Sequence, residues 1–273
     1  MIEITIRTTE WQEVLIALLD ENLGYEGFEQ EDELLRAYIP GERFDQAALE
    51  ELLGQWDLSY EEQRLAERNW NEEWEKNFQP VVVDDFCAIR AHFHAPIAGV
   101  EQELVITPKM SFGTGHHATT FMMVQAMRGM EFRGKRVLDF GTGTGVLAIL
   151  AARLGAESVL AIDNDDWSIA NTEENIEANR CKRVVLRKID NLAALPESFD
   201  VILANINKHV ILAEMAEMGQ HLGNGGVILL SGLLDNDYND IENEAIKNKL
   251  PISVRMTKGA WICVKIEKKP AQR

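Results

Sequence analysis

The sequence predicts an α/β protein: a doubly wound parallel sheet closed by an antiparallel hairpin, with a small α+β domain before it. Three observations carry this. From residue 136 onward, strand-like apolar runs alternate with helical ones, the pattern of a parallel sheet covered on both faces. The last two strand-like runs, "ISVRMTKG" and "AWICVKIEKK", meet at a short Lys-Gly-Ala turn. That is too little chain for a crossover, so they must pair antiparallel. The first 65 residues read strand, helix, strand, strand, helix, strand, the order of a ferredoxin-like sandwich.

Each element has its own signal. "MIEITIRT" alternates, with Ile2, Ile4 and Ile6 on one face. "TEWQEVLIALLDE" has helical spacing, and Thr9 is its expected N-cap. "GFEQED" and "LLRAYIP" read as a hairpin, "ERFDQAALEELLGQW" as a second helix and "LSYEEQRL" as a last strand. In "AERNWNEEWEKNFQP", Trp70, Trp74 and Phe78 sit four apart on one helical face. This predicts a connecting helix ending at Pro80. The expected division is 1–60 for the small domain, 61–79 for the linker helix and 80–273 for the large domain. "VVVDDFCAIRAHF" reads as strands. "RVLDFG", "SVLAIDND", "VVLRKID", "FDVILANI" and "GGVILLSGLL" are the five parallel strands, with helices between them and one more at 235–249.

Charge and composition narrow the function. The 273 residues carry a net charge of −18. Residues 1–77 hold 21 Asp and Glu against 6 Lys and Arg, a net −15. Such a segment is either a solubilising surface or a docking module for a basic partner. It argues against direct nucleic-acid binding, which needs clustered cations. The three cysteines lie far apart, with no CxxC pair, so neither structural zinc nor a disulfide framework is expected. The amino terminus lacks a signal-peptide pattern, and "GVLAILAARLGA" is too short to span a bilayer. A cytoplasmic monomer is expected.

Two glycine-rich stretches carry the chemistry. "DFGTGTG" turns from strand to helix at the carboxyl edge of the sheet, where ligands bind in this architecture. Gly141, Gly143 and Gly145 permit positive φ and close backbone approach. A dinucleotide loop would place a third glycine where Val146 stands. The spacing instead resembles the loop that holds S-adenosylmethionine (SAM). Asp163 ends the second strand, 22 residues after Gly141, where an acid accepts the ribose hydroxyls of an adenosine. Asp165 and Asp166 read as caps of the following helix, and Asp190 as a candidate for the adenine amine. Asn205, in "ANIN", offers a carboxamide oxygen to an amine nucleophile.

"NWNEEWEKNFQPV", "SFGTGHHATT", "LDFGTGTGVLAI" and "ANI", in this order, resemble the PrmA family, bacterial methyltransferases of the large-subunit ribosomal protein eleven. The likeness covers nearly all of 66–273, and in the first 65 residues it rests on layout alone. It implies a Rossmann-like SAM-dependent protein N-methyltransferase whose ferredoxin-like domain recognises the ribosomal protein. Family members trimethylate lysine side chains and the N-terminal amine. The cofactor-contacting positions carry over to Thr120, Gly141, Asp163 and Asn205. One departure is Ala118, where many members have proline. The first loop, with Phe112, Gly113, Thr114 and Gly115, is expected to close over the methionine half of SAM, and Gly141 and Gly143 to hold the adenosine half. Thr119 and Thr120 would then present hydroxyls and amides at a helix N-terminus. Asn205 is the expected catalytic residue; His116 or His117 could serve as a base. No metal is expected. Alternatives are a SAM methyltransferase for another protein or small amine, an NAD-dependent oxidoreductase, and a non-catalytic module binding an adenosine ligand and a partner.

Overall fold

The computed structural model describes residues 1–64, 78–109 and 111–269. They fall into two units, Met1–Phe78 and Gln79–Arg273. Most of the expected connecting helix, with Trp70 and Trp74, lies outside the described residues.

In the first unit, alternation does what it predicts. β1 (Ile2–Arg7) buries Ile2, Ile4 and Ile6. They pack with Leu15 and Leu19 of α1 (Gln12–Leu23) and Leu49 and Leu53 of α2 (Gln46–Gly54). β2 (Gly27–Gln30), β3 (Leu34–Ile39) and β4 (Tyr60–Arg64) complete a four-stranded sheet in the order β2-β3-β1-β4. All its pairings are antiparallel, which makes it ferredoxin-like. β4 runs from residue 60 onward, so the sheet extends past the expected boundary residue. The N-cap of α1 is Trp11, not Thr9. Thr8 Oγ1 instead accepts the Trp11 amide at 3.3 Å. Asp45 caps α2 by accepting the Ala48 amide at 3.1 Å.

The second unit opens with a small sheet. β5 (Val81–Val83) and β6 (Cys87–Arg90) pair antiparallel, and β6 pairs parallel with β7 (Gln102–Val105). β7 was not legible in the sequence: it is four residues long and half polar. Then comes the main sheet, built from β8 (Arg136–Phe140), β9 (Ser158–Asp163), β10 (Val184–Lys188), β11 (Phe199–Asn205), β12 (Leu222–Leu234), β13 (Ile252–Lys258) and β14 (Trp261–Glu267). Its order is β10-β9-β8-β11-β12-β14-β13. The first five strands are parallel; β14 pairs antiparallel with β12, and β13 with β14.

Helices cover both faces: α3 (Ala118–Met127), α4 (Val146–Arg153), α5 (Asp166–Ala178), α6 (Lys208–His221) and α7 (Tyr238–Lys247). Val146–Ala151 of α4 are buried without interruption, as expected of a helix enclosed on all sides. The chain winds outward from β8 in one direction through β9 and β10, and in the other through β11 and β12. The strand order therefore reverses at β8, and a crevice opens there at the carboxyl edge. No described helix is long and apolar enough to cross a membrane.

Candidate active site

The loop after β8 is wired into the sheet at every corner. The Gly141 and Thr142 amides both donate to the Ile162 carbonyl at 2.9 Å, and the Gly145 amide donates to Thr142 O at 2.8 Å. Gly141, Gly143 and Gly145 all have positive φ, at +72°, +57° and +79°. A Cβ on Gly143 would sit 2.3 Å from the Phe112 carbonyl oxygen. Beneath the loop lies Asp139, buried, whose Oδ2 accepts the Thr142 hydroxyl at 2.7 Å and the Ala148 amide at 3.1 Å. Burial pushes its carboxyl up to about 7, and the nearby Asp163 charge adds to that. Asp139 is thus the inward anchor of the turn.

Asp163 holds the loop from the side. Its Oδ2 accepts the Gly143 amide at 2.9 Å and its Oδ1 accepts the Asp165 amide at 3.1 Å. Each oxygen has a second lone pair, so both remain able to accept from a ligand. Asp165 caps α5 through the Ser168 amide at 2.9 Å, as expected. Asp166 is paired with Lys188.

The first glycine-rich stretch lies directly on the second. The Thr144 amide donates to Phe112 O at 3.0 Å, and the Thr144 hydroxyl donates to Gly113 O at 2.8 Å. Gly113 and Gly115 have φ of +115° and +93°. A Cβ on Gly115 would meet Ile89 Cδ1 at 2.7 Å, so this glycine serves packing on β6. The two histidines diverge. His116 bonds Thr114 Oγ1 through Nδ1 at 3.1 Å and Gln79 O through Nε2 at 2.9 Å. His117 is the N-cap of α3, with Nδ1 accepting the Thr119 amide at 3.4 Å and lying 2.8 Å from its hydroxyl. In that state the ring proton sits on Nε2. Both nitrogens of His116 are engaged within the loop, and His117 Nδ1 is engaged at the start of α3. The expected helix-terminal amide at Thr119 is taken by His117 itself.

Asn205, at the end of β11, donates from Nδ2 to the buried Thr120 hydroxyl at 3.2 Å. Asn205 Oδ1 is buried and without a hydrogen-bond partner. A buried unpaired acceptor is costly, so it marks where a donor belongs.

These groups share one cavity of about 570 Å³, the size of a small-molecule site. Phe112, Gly113, Gly141, Gly143, Asp163 and Asn205 lie on its wall, and Asp190 also faces it. Thr120 stands one layer behind, through Asn205. Thr114 and Gly115 lie off the wall. Among the wall residues that escaped the sequence reading are Ile206, Gly232, Ser168 and Trp261. Gly232 had a signal, since a glycine inside a strand marks close backbone approach; its φ is +85° and a Cβ would lie 2.2 Å from Ile206 O. Another missed signal is the Asn171, Asn175, Asn179 stripe along α5 and its C-cap. Asn175 Nδ2 donates to Thr144 O at 2.8 Å, while Asn175 and Asn179 Oδ1 accept the Thr107 and Val105 amides. Among the described residues, no group of three His, Cys, Asp or Glu is arranged to hold a metal.

Residues 4–269 match the family model described as ribosomal protein L11 methyltransferase (PrmA). The chain belongs to this family. A relative from Porphyromonas gingivalis, named ribosomal protein L11 methyltransferase, is 42% identical over 96% of this chain and 92% of its own length. One of the same name from Phocaeicola vulgatus is 36% identical over 97% and 98%. A crystal structure of ribosomal protein L11 methylase from Lactobacillus delbrueckii subsp. bulgaricus superposes with a TM-score of 0.66 at 30% identity, covering 70% of this chain and all of that one. The protein is a SAM-dependent methyltransferase, and SAM is its cofactor. The cavity fits that cofactor: Asp163, Asp190 and the glycines Gly141 and Gly143 line it, and Asn205 stands on its wall.

Proposed function

We propose that this chain methylates amino groups of ribosomal protein L11, on lysine side chains and at the N-terminal amine. The observation that carries the reading is the buried, unpartnered Oδ1 of Asn205. It can accept an N–H from an amine and turn the nitrogen lone pair toward the methyl donor. SAM supplies an electrophilic methyl group on a sulfonium.

An attacking amine must first be neutral. Free lysine titrates near ~10.4, and entry into a poorly solvated channel lowers that value. The proton leaves to water, and no dedicated side-chain base is required. Positioning supplies much of the acceleration. In this reading Asp163 accepts the ribose hydroxyls and Asp190 the adenine amine. Gly141 and Gly143 line the adenosine end. Phe112 and Gly113 lie over the methionine half, Thr114 and Gly115 continue that strap away from the cavity, and Thr120 holds Asn205 from behind. The acidic segment 1–60 docks the basic ribosomal protein, 61–79 connects, and 80–273 carries the chemistry. The enzyme works as a cytoplasmic monomer and does not engage bare nucleic acid.

The deciding experiment is mass spectrometry of ribosomal protein L11 after incubation with the full-length protein and SAM. Mass gains of one methyl group each, mapped to lysines and the N-terminus, are expected. An unmodified L11 alongside another methylated amine would sink the substrate assignment.

A further inference from the structure

A second cavity lies at the amino edge of the main sheet, at the other end of the strands. α4 returns from the carboxyl edge to the start of β9 and ends at Arg153. α5 returns to the start of β10 and ends at Ala178. The Val159 amide, near the start of β9, donates to Arg183 O at 2.9 Å, so the turn at 179–183 closes over that edge. β9 runs Ser158–Asp163, so ~17 Å of strand separates this edge from Asp163.

The cavity has a volume of about 590 Å³ and is lined by Arg153, Arg180, Lys182 and Arg183, with Asn179, Cys181 and two alanines between them. Its lining includes no carboxylate. This is unusual in a chain with 45 Asp and Glu against 27 Lys and Arg. Elsewhere cations are matched: Arg90 by Glu103, Arg128 by Asp85 and Glu101, Arg187 by Glu197. None of the four cleft cations has a carboxylate within 4.0 Å among the described residues. Glu103 feels the Arg153 charge, yet its oxygens are already engaged by Arg90 and the Ile97 amide.

Helix C-termini favour cations, and two of the four serve that end. Arg153 Nη2 donates to Asn179 O at 3.3 Å, and Arg183 Nη1 donates to Ala156 O at 3.0 Å. Each guanidinium keeps further N–H groups on a fork that the carbonyl now holds in place. Arg180 and Lys182 are exposed. Arg180 stands at φ +55° just past the helix end, where glycine or asparagine is the usual residue. Four like charges around one hollow repel one another, and the helix ends alone do not call for them.

We infer that this cleft binds a small polyphosphate anion, at a site separate from the cofactor cavity. Arginine forks engage phosphate oxygens in pairs, and Lys182 adds a point charge. One phosphate group carries roughly two charges near neutral pH, so four cations match two or three such groups. No aromatic ring lines the cleft, which leaves a nucleobase nothing to stack on. The exposed Glu157 and Glu177 flank it in sequence. The cations therefore do not continue as the track that a nucleic-acid backbone needs.

Calorimetry with inorganic triphosphate and the full-length protein, at low salt and without divalent metal, tests this. One molecule per chain is expected to bind. Arg180→Gln and Lys182→Gln together should weaken binding about 30-fold; both side chains are exposed, so the fold is kept. Lys247→Gln with Lys249→Gln is the matched control. It removes the same charge beside α7, and Lys249 has a φ of +59°, like Arg180. That pair should leave the affinity unchanged. Equal losses in the two pairs, or no binding by the wild type, would overturn the site. SAM affinity should stay within about twofold at saturating triphosphate; competition between the two would put the anion in the cofactor cavity and refute a second site. ATP should bind as tightly as triphosphate, because base stacking would add about tenfold; a gain of that size would sink the assignment to phosphate groups alone. A short RNA duplex that binds more tightly than triphosphate would overturn the small-anion assignment in favour of a nucleic-acid surface.

Discussion

The two glycine-rich loops look alike in the sequence and differ in how they are held. The loop at 139–145 draws its order from its own strand and the next one: Ile162 O, Asp139 and Asp163 take its amides and hydroxyl. The loop at 111–120 borrows its order. Thr144 of the other loop holds Phe112 O and Gly113 O, and Gln79 O holds His116. One is a rigid cradle; the other is a strap tied to it. A strap with few ties of its own can be loosened by a change in the cradle, while the reverse effect should be small.

The largest break in that comparison is Gly143→Ala. It puts a Cβ into the Phe112 carbonyl at a backbone φ of +57°, so cradle and strap must separate. Strain and overpacking together come to roughly 3 kcal/mol. A melting temperature lower by about 6–12 °C is expected, with SAM affinity reduced about 100-fold by calorimetry. A variant that binds SAM normally would mean the contact between the loops is incidental.

Thr144→Val is gentler and separates the two loops. It removes only the hydroxyl that donates to Gly113 O and leaves the cradle's own bonds intact. The expected loss is ~1 kcal/mol, seen as a fivefold weaker SAM affinity. Hydrogen exchange should speed up in 111–117 and not in 139–145. Equal changes in both segments would erase the distinction.

The smallest effect concerns the cradle's anchor. The Asp139 carboxyl titrates near 7 in the folded protein, against ~3.9 in an unfolded chain. Between those values the native state keeps a proton that the unfolded state has lost. Stability from this group is therefore full below about 4, declines as pH rises and is flat above about 7. Asp139→Asn keeps an acceptor for Thr142 and Ala148 without the charge. Its melting temperature should gain on the wild type between pH 5 and pH 7.5. A constant difference across that range would show that Asp139 does not titrate there.

Much of this site was readable residue by residue. "DFGTGTG" predicted a strand-to-helix turn, and three positive φ angles follow from it. Asp163 and Asn205 were placed at strand ends, where a parallel sheet exposes functional groups, and both lie on the cavity wall. Ile2, Ile4 and Ile6 were assigned to the core from a period of two. What was missed is instructive. β7 escaped because four half-polar residues carry no periodic signal; it pairs with β6, and the Val105 amide at its end is taken by a side chain 74 positions away. Thr9 looked like a cap because capping residues are recognised by type, whereas the chain begins its helix after Trp11. The adjacent histidines diverge in a way no short stretch foretells: one caps a helix and the other ties a loop.

By itself the sequence determined what is local: the alternation of strands and helices, the glycines that must turn with positive φ, and the acid and amide waiting at strand ends. It also carried family motifs spaced closely enough to recognise. Only the tertiary structure decided which groups meet. Trp261 faces the cavity because β14 pairs with β12, and Thr144 grips the first loop because the two segments fold onto each other. Asn205 Oδ1 is left bare because Thr120, 85 residues earlier, takes the other end of the amide. Such contacts depend on strand order and on which polar atoms remain unpaired after packing, and neither is written in any short stretch of residues.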